Sequence, residues 1–245
     1  MRQGRKDDGG AVTRREALAG AAAVGVGLAL GKTESAAKER IAAALPGAKV
    51  CILTPEAVEG PFYFDPKLVR AHITEGKLGA PLALTLQVVD AKDCAKLERA
   101  RIDIWHADAL GLYSGYAGQE TGSAKGETFL RGTQFTGAEG AASFATIYPG
   151  WYPGRTPHIH FKVFLDANTL VTGQLYFPDA VSERIYATHQ PYRERKGERD
   201  TFNATDFIFR DQDGAKTLVN VEENGGGYGA SLVIGVAGGA HSTQG

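Results

Sequence analysis

From Leu82 onward, apolar and polar residues alternate with a period of two. The pattern runs through Leu82–Val89, Ala100–His106, Ser143–Tyr148, His158–Leu165, Gly173–Phe177, Phe207–Arg210 and Ala230–Val236. Successive side chains of a strand point to opposite faces, so this period predicts half-buried strands rather than helices. Turn signals separate several of the runs, at Gly79-Ala80-Pro81, Gly137–Gly140, Asp166–Asn168 and Asp211–Gly214. Short strands in this number predict an all-β fold, a β-sandwich of mostly antiparallel strands. Helix is expected only near Glu39–Leu45 and around Asp179–His189. Two long loops, Tyr113–Phe129 and His189–Asp206, have a length that compact domains keep for function.

The N-terminal segment breaks this pattern. Charged residues lead to Thr13-Arg14-Arg15, an Ala/Gly-rich apolar run covers Ala17–Leu30, and small residues follow at Ser35-Ala36-Ala37. This is the layout of an export signal, with the arginine pair of the twin-arginine type. The apolar run is shorter than the roughly 20 residues a membrane-spanning helix needs. Residues 1–37 are therefore read as a signal segment and residues 38–245 as one catalytic or binding domain. The expected destination is periplasmic or extracellular, reached through the twin-arginine export machinery, with no stable membrane anchor in the mature form. Outside the cytoplasm an even pair of cysteines is expected to be bridged, which pairs Cys51 with Cys94. The net charge of −1 supplies no basic field for nucleic acid.

The chemistry concentrates in Tyr148–Phe161, which reads YPGWYPGRTPHIHF. His158 and His160 are two residues apart in an expected strand, so both imidazoles face one way while Ile159 faces the apolar layer. His-x-His alone marks a solvated sheet face more often than a metal site. Its context narrows this: Pro149–Gly154 cannot continue a strand and forms a stiff turn that returns Tyr152 toward the histidines. Upstream, Ile102–His106 is a strand running into a loop that ends at a second tyrosine, Tyr113.

These pieces resemble the intradiol ring-cleavage dioxygenases, the family of protocatechuate 3,4-dioxygenase and catechol 1,2-dioxygenase. The resemblance rests on Asp103–Tyr113, Phe129–Gly132, Phe144–Tyr152, Arg155–His160 and Gln174–Phe177. Leu53–Tyr63 and the leader are most similar to the exported single-chain branch. The resemblance implies that Tyr113, Tyr152, His158 and His160 bind one Fe(III), with Tyr152 the ligand that leaves when substrate arrives. Hard Fe(III) suits phenolate oxygens, whereas zinc sites seldom use tyrosine. It further implies cleavage of a catechol-type diol by O2 to a cis,cis-muconate-type dicarboxylic acid. Arg155 would lie over the substrate ring, Gln174 beside the oxygen-binding position, and Phe62 and Tyr63 at the pocket mouth, with Tyr63 touching substrate. Relatives include homodimers as well as larger assemblies.

Tyr148 alternates with Phe144 and Thr146 and is read as structural, as are Trp105 and Trp151; His106 is read as orienting a neighbour. The five residues Pro153–Pro157 between Tyr152 and His158 are fewer than in catechol-type members, and no signature for a carboxylated ring is evident. Two other classes fit the bare residues. One is a non-catalytic β-sandwich binding module of an exported protein. The other is an Fe(II) or zinc enzyme using His158 and His160 with a carboxylate.

Overall fold

The computed structural model describes residues 51–166 and 168–237. The leader and the expected helix near Glu39–Leu45 lie outside the described residues. The elements are β1 (Pro81–Asp90), β2 (Arg101–Trp105), β3 (Arg131–Phe135), β4 (Ala141–Ile147), β5 (His158–Leu165), β6 (Asn168–Tyr176), α1 (Asp179–Thr188), α2 (Phe207–Asp211), β7 (Asn220–Asn224) and β8 (Gly227–Val236). They form a sandwich of two four-stranded sheets, ordered β4-β1-β8-β7 and β3-β2-β5-β6. All neighbouring strands are antiparallel except β1 and β8.

The period of two explains the core. Leu82, Leu84, Leu86 and Val88 of β1, with Phe144 and Ile234, meet Ile102, Ile104, Ile159, Phe161, Val163, Val171 and Leu175 of the second sheet. Each such side chain, fully buried, contributes about 1.5–3 kcal/mol. The register then orders the opposite face of the second sheet. Arg131 pairs with Trp105, Trp105 with His160, and His160 with Gln174, so these four form one row across β3, β2, β5 and β6. Thr133, Asp103, Lys162 and Thr172 form the next row.

This face is polar yet covered, and the segment from Cys51 to Lys67 is one of its covers. Thr54 pairs with Gly235 of β8, Ala57 donates to the Thr172 carbonyl, and Glu59 pairs with Lys162. Tyr63 Oη donates to Asp103 Oδ2 at 3.0 Å. The strap thus crosses from the edge of one sheet to the outer face of the other. Its start is fixed by the Cys51–Cys94 disulfide, with Cα atoms 5.5 Å apart.

Three elements differ from the sequence pattern. Phe207–Arg210 is helix α2, not a strand: Asp206 Oδ1 accepts from the Ile208 and Phe209 amides and caps the turn, which leaves Phe207 exposed. β3 was not expected because Arg-Gly-Thr-Gln shows no apolar alternation; its faces are set by Asp103 and Ile73 rather than by its own hydrophobicity. β7, Asn-Val-Glu-Glu-Asn, is a largely exposed strand at the edge of the first sheet. Among the described residues, no helix is long and apolar enough to cross a membrane.

Replacing Cys51 and Cys94 by serine should lower the unfolding free energy by up to about 4 kcal/mol, the chain-entropy limit for a loop of this length. Urea denaturation reads this directly. An unchanged midpoint would show that the strap is held by its other bonds alone.

Candidate metal centre

His158 opens β5, and His160 follows on the same face, with Ile159 turned into the core. His158 Nδ1 lies 2.7 Å from the Thr156 carbonyl oxygen. A carbonyl only accepts, so Nδ1 carries the proton and Nε2 keeps its lone pair free. His160 stacks on Trp105, ring centroids 4.8 Å apart and 11° from parallel, which fixes its plane.

The tyrosines arrive on loops. After β2, Asp108 Oδ1 accepts from the Leu110 and Leu112 amides at 2.9 and 3.0 Å and curls the chain toward Tyr113. Gln119 then clamps Tyr113 from both ends of its backbone, accepting from its amide at 2.9 Å and donating to its carbonyl at 2.8 Å. Phe62 of the strap stacks on the phenol ring at 4.6 Å. Tyr152 sits on the Pro149–Gly154 turn, whose Gly150 amide donates to the Asp108 carbonyl at 3.1 Å. Two glycines allow this approach. A Cβ at Gly111 would lie under 3.0 Å from the Trp151 carbonyl, and one at Gly150 under 3.0 Å from the Asp108 and Ala109 carbonyls. Gly111 also has φ +85°, a left-handed conformation that a side chain strains.

Four atoms therefore meet. His158 Nε2 lies 3.2 Å from Tyr113 Oη, 3.1 Å from Tyr152 Oη and 3.1 Å from His160 Nε2. Ligand atoms about 2.0–2.1 Å from a shared ion sit about 3 Å from one another, so the spacing fits donors around a single ion. The donor set fits it too: two phenols and two imidazoles offer hard oxygen and borderline nitrogen. Burial, and then the charge of Arg155, holds both imidazoles well below the ordinary histidine value of 6.5, so both are neutral and ligand-ready. Burial raises both phenols, and Arg155 opposes the rise at each. The metal-free phenols are thus protonated, and metal binding must displace their protons. Among the described residues no group of three or more His, Cys, Asp or Glu could hold a metal, so His158 and His160 lack the carboxylate that an Fe(II) or zinc site of that type needs.

Arg155 borders this set. Its Nε donates to Asp206 Oδ2 at 2.9 Å and its Nη2 to Gln174 Oε1 at 2.6 Å. Nη1 remains, 3.4 Å from both Tyr152 Oη and His158 Nε2. Gln174 is engaged at both ends, since its Nε2 donates to the Val58 carbonyl; it reaches the centre through Arg155. Tyr63 also stands back from the four atoms, its hydroxyl on Asp103 and its ring against Trp105. Phe62 is the strap aromatic that lies on Tyr113. Tyr148 is in the core, hydrogen-bonded to Ser182 at 2.8 Å, and Tyr116 donates to the Tyr63 carbonyl. His106 is sealed between the Ala107 carbonyl and the Thr146 hydroxyl, both at 2.8 Å. Asp206, Gln119 and Ser114 were not singled out from the sequence. Asp206 carried a signal, an Asp directly before a short apolar run, which is an N-cap pattern. Gln119 and Ser114 carried none, because their partners are set by loop conformation.

Fold and site together define a β-sandwich with a buried donor set of two tyrosines and two histidines on the covered face of one sheet. The family model described as Dioxygenase matches residues 54–192, a span that contains all four donors. The sequence is 27% identical to catechol 1,2-dioxygenase 1 of Acinetobacter lwoffii over 190 residues, 63% of this chain and 60% of that protein. It is 33% identical to the protocatechuate 3,4-dioxygenase beta chain of Burkholderia cepacia over 124 residues, 46% and 52% of the two chains. The chain thus spans between about half and three fifths of these curated relatives. An intradiol ring-cleavage dioxygenase from Tetranychus urticae superposes with a TM-score of 0.72 at 33% identity, over 79% of this chain and 98% of that one. This chain belongs to the intradiol ring-cleavage dioxygenase family.

Two outcomes follow. Gly150→Ala forces a methyl group into backbone carbonyls that cannot swing aside, at a cost of about 1–3 kcal/mol. It should lower the melting temperature and separate the two tyrosines; a crystal structure with Tyr152 unmoved would refute this. The second concerns acid. Burial pushes His106 down to about 4 from 6.5, so the unfolded chain takes up the proton first as pH falls. Stability is complete above pH 6.5 and is lost as pH drops toward about 4. Between pH 7 and 5, His106 alone should account for a loss on the order of 2 kcal/mol, with His158 and His160 adding in the same direction in the metal-free protein. An H106Q variant should lose correspondingly less in urea titrations at the two pH values, and an equal loss would sink the assignment.

Proposed function

We propose that this chain is an Fe(III)-dependent dioxygenase that cleaves a catechol-type diol between its two hydroxylated carbons. O2 is the co-substrate and a cis,cis-muconate-type dicarboxylic acid is the product. The observation that carries this reading is the meeting of Tyr113 Oη, Tyr152 Oη and His160 Nε2 within 3.2 Å of His158 Nε2. Bound there, Fe(III) would hold both oxygens of the diol and make its ring reactive toward O2.

The surroundings assign the residues different tasks. Tyr113 is buried, clamped by Gln119 and stacked by Phe62, and is the ligand that stays. Tyr152 is only half-buried, sits on a turn, and has Arg155 Nη1 beside its oxygen; it is the ligand that leaves. Tyr152 Oη could take a proton from an incoming diol hydroxyl, which would spare the diol from releasing that proton to water. Arg155, held by Asp206 and Gln174, keeps Nη1 as a permanent positive charge where negative charge builds on the diol oxygens. The Thr156 carbonyl keeps His158 in the tautomer that presents Nε2.

We read the Arg14-Arg15 leader as directing this activity outside the cytoplasm. The substrate class is accordingly an extracellular or periplasmic catechol.

Purified full-length protein loaded with Fe(III) should be reddish from phenolate-to-metal charge transfer, and the colour should shift when catechol is added. O2 uptake should accompany consumption of at least one member of a catechol panel. Arg155→Gln should keep the resting colour and lower turnover by about 10²–10³-fold. A colourless protein inert to every diol would indicate the β-sandwich binding module instead.

A further inference from the structure

Three charged side chains with Arg or Lys identity are buried among the described residues: Arg131, Lys162 and Arg199. Lys162 pairs with Glu59, and Arg199 with Asp179 and Glu183. Arg131, 1% exposed, has no carboxylate partner among the described residues. Removing an ion from water without a counter-charge costs several kcal/mol, and an apolar residue of similar volume would be more stable there. Core packing therefore does not account for an arginine at this position.

Its contacts do. Arg131 opens β3 in the row that also carries Trp105 and His160. Its Nε donates to Ser114 Oγ at 2.8 Å, and its Nη2 to the Ser114 carbonyl at 2.7 Å. Ser114 Oγ in turn donates to the Phe129 carbonyl at 2.7 Å. The guanidinium lies 4.2 Å from the centroid of Phe64 and 5.8 Å from that of Tyr116. One rigid fork thus takes both acceptors of a single residue, and that residue directly follows Tyr113. The other restraints on Tyr113, Gln119 and Phe62, come from its own loop and from the strap. The link through Ser114 ties it to the sheet that bears the histidines.

Resting on the metal-centre reading above, we propose that Arg131 is a positioning residue that registers loop-borne Tyr113 against the strand-borne imidazoles. It acts through Ser114 and touches neither metal nor substrate. Two arginines then divide the tyrosines: Arg131 holds the neighbourhood of the phenol that stays, and Arg155 stands beside the phenol that leaves.

The test is Arg131→Lys in the full-length chain, which keeps the charge but replaces the fork with one compact ammonium. Expected is a folded protein whose Fe(III) affinity, measured against a competing chelator, falls about tenfold, with a displaced charge-transfer band. In a crystal of the metal-free variant, Tyr113 Oη should have moved from its 3.2 Å separation from His158 Nε2. A purely structural role predicts a lower melting temperature with band and affinity unchanged, and that result overturns the proposal. Should the lysine variant not fold, Ser114→Ala decides. It removes the acceptor of Nε and should give a smaller loss in the same direction; wild-type band and affinity would overturn the proposal. If the wild-type protein itself takes up no Fe(III), the metal reading fails. The crystallographic comparison still decides the role of Arg131, because an unmoved Tyr113 hydroxyl refutes it with or without metal.

Discussion

Histidines, an aspartate, a glutamine and an arginine share the outer face of the second sheet, and that face is cut off from water. Such burial is tolerable only where each nitrogen and oxygen finds a partner of the right kind. The strap and three loops supply most of those partners, although Trp105 Nε1, Arg131 Nη1, His160 Nδ1 and Thr172 Oγ1 on this face have none among the described residues. Asp103 shows how: it accepts from Tyr63, Thr133 and Arg101, and by doing so anchors the strap that places Phe62 on Tyr113. The cover and the polar face hold each other in place, and the donor set lies between them.

Satisfaction is uneven, and the unevenness bears on function. Gln174 and Asp206 are engaged with protein partners, so they can only orient. His158 Nε2, His160 Nε2 and the two phenol oxygens have chiefly one another. In the metal-free chain the hydroxyls hold protons that burial makes hard to release, while the imidazoles are neutral. On the proposed reading, a cation replacing those protons would convert four crowded dipoles into four ligands, and its binding free energy would stabilise the fold at the same place. The neutral imidazoles and the protonated phenols are two consequences of one cause, exclusion of water, with Arg155 adding to the first and opposing the second.

Much of this was legible in the sequence, and for identifiable reasons. Strands such as Leu82–Val89 and His158–Leu165 carry their own faces in their own side chains, so alternation alone assigns them. The same rule puts His158 and His160 side by side. Tyr113 and Tyr152 were legible through the motifs around them, since a loop has no period to read. Phe207–Arg210 misled because three apolar residues follow a capping Asp206 that decides between strand and helix. β3 could not be read at all, because Arg131 and Thr133 face Ser114 and Asp103, partners fixed only once the sheet exists. Ser114 and the strap contact of Tyr63 belong to the same class, polar residues whose partners lie farther along the chain, whereas Gln119 bonds Tyr113 within a loop that has no period to read.

The shortness of the Tyr152–His158 connection has a structural logic. Within Pro153–Pro157 the chain turns through a bridge between Tyr152 and Arg155, so the guanidinium returns beside the phenol. One residue later the Thr156 carbonyl sets the His158 tautomer. Both positions are held by one buried carboxylate: Asp206 Oδ2 accepts from Arg155 Nε and from the Thr156 amide, each at 2.9 Å, while its Oδ1 caps α2. A longer connection would need separate anchors for the cation and for the carbonyl that orients the imidazole. Here the Tyr152 phenol, the charge beside it and the fixed histidine share one turn, and a single aspartate from the distant loop holds that turn to the fold.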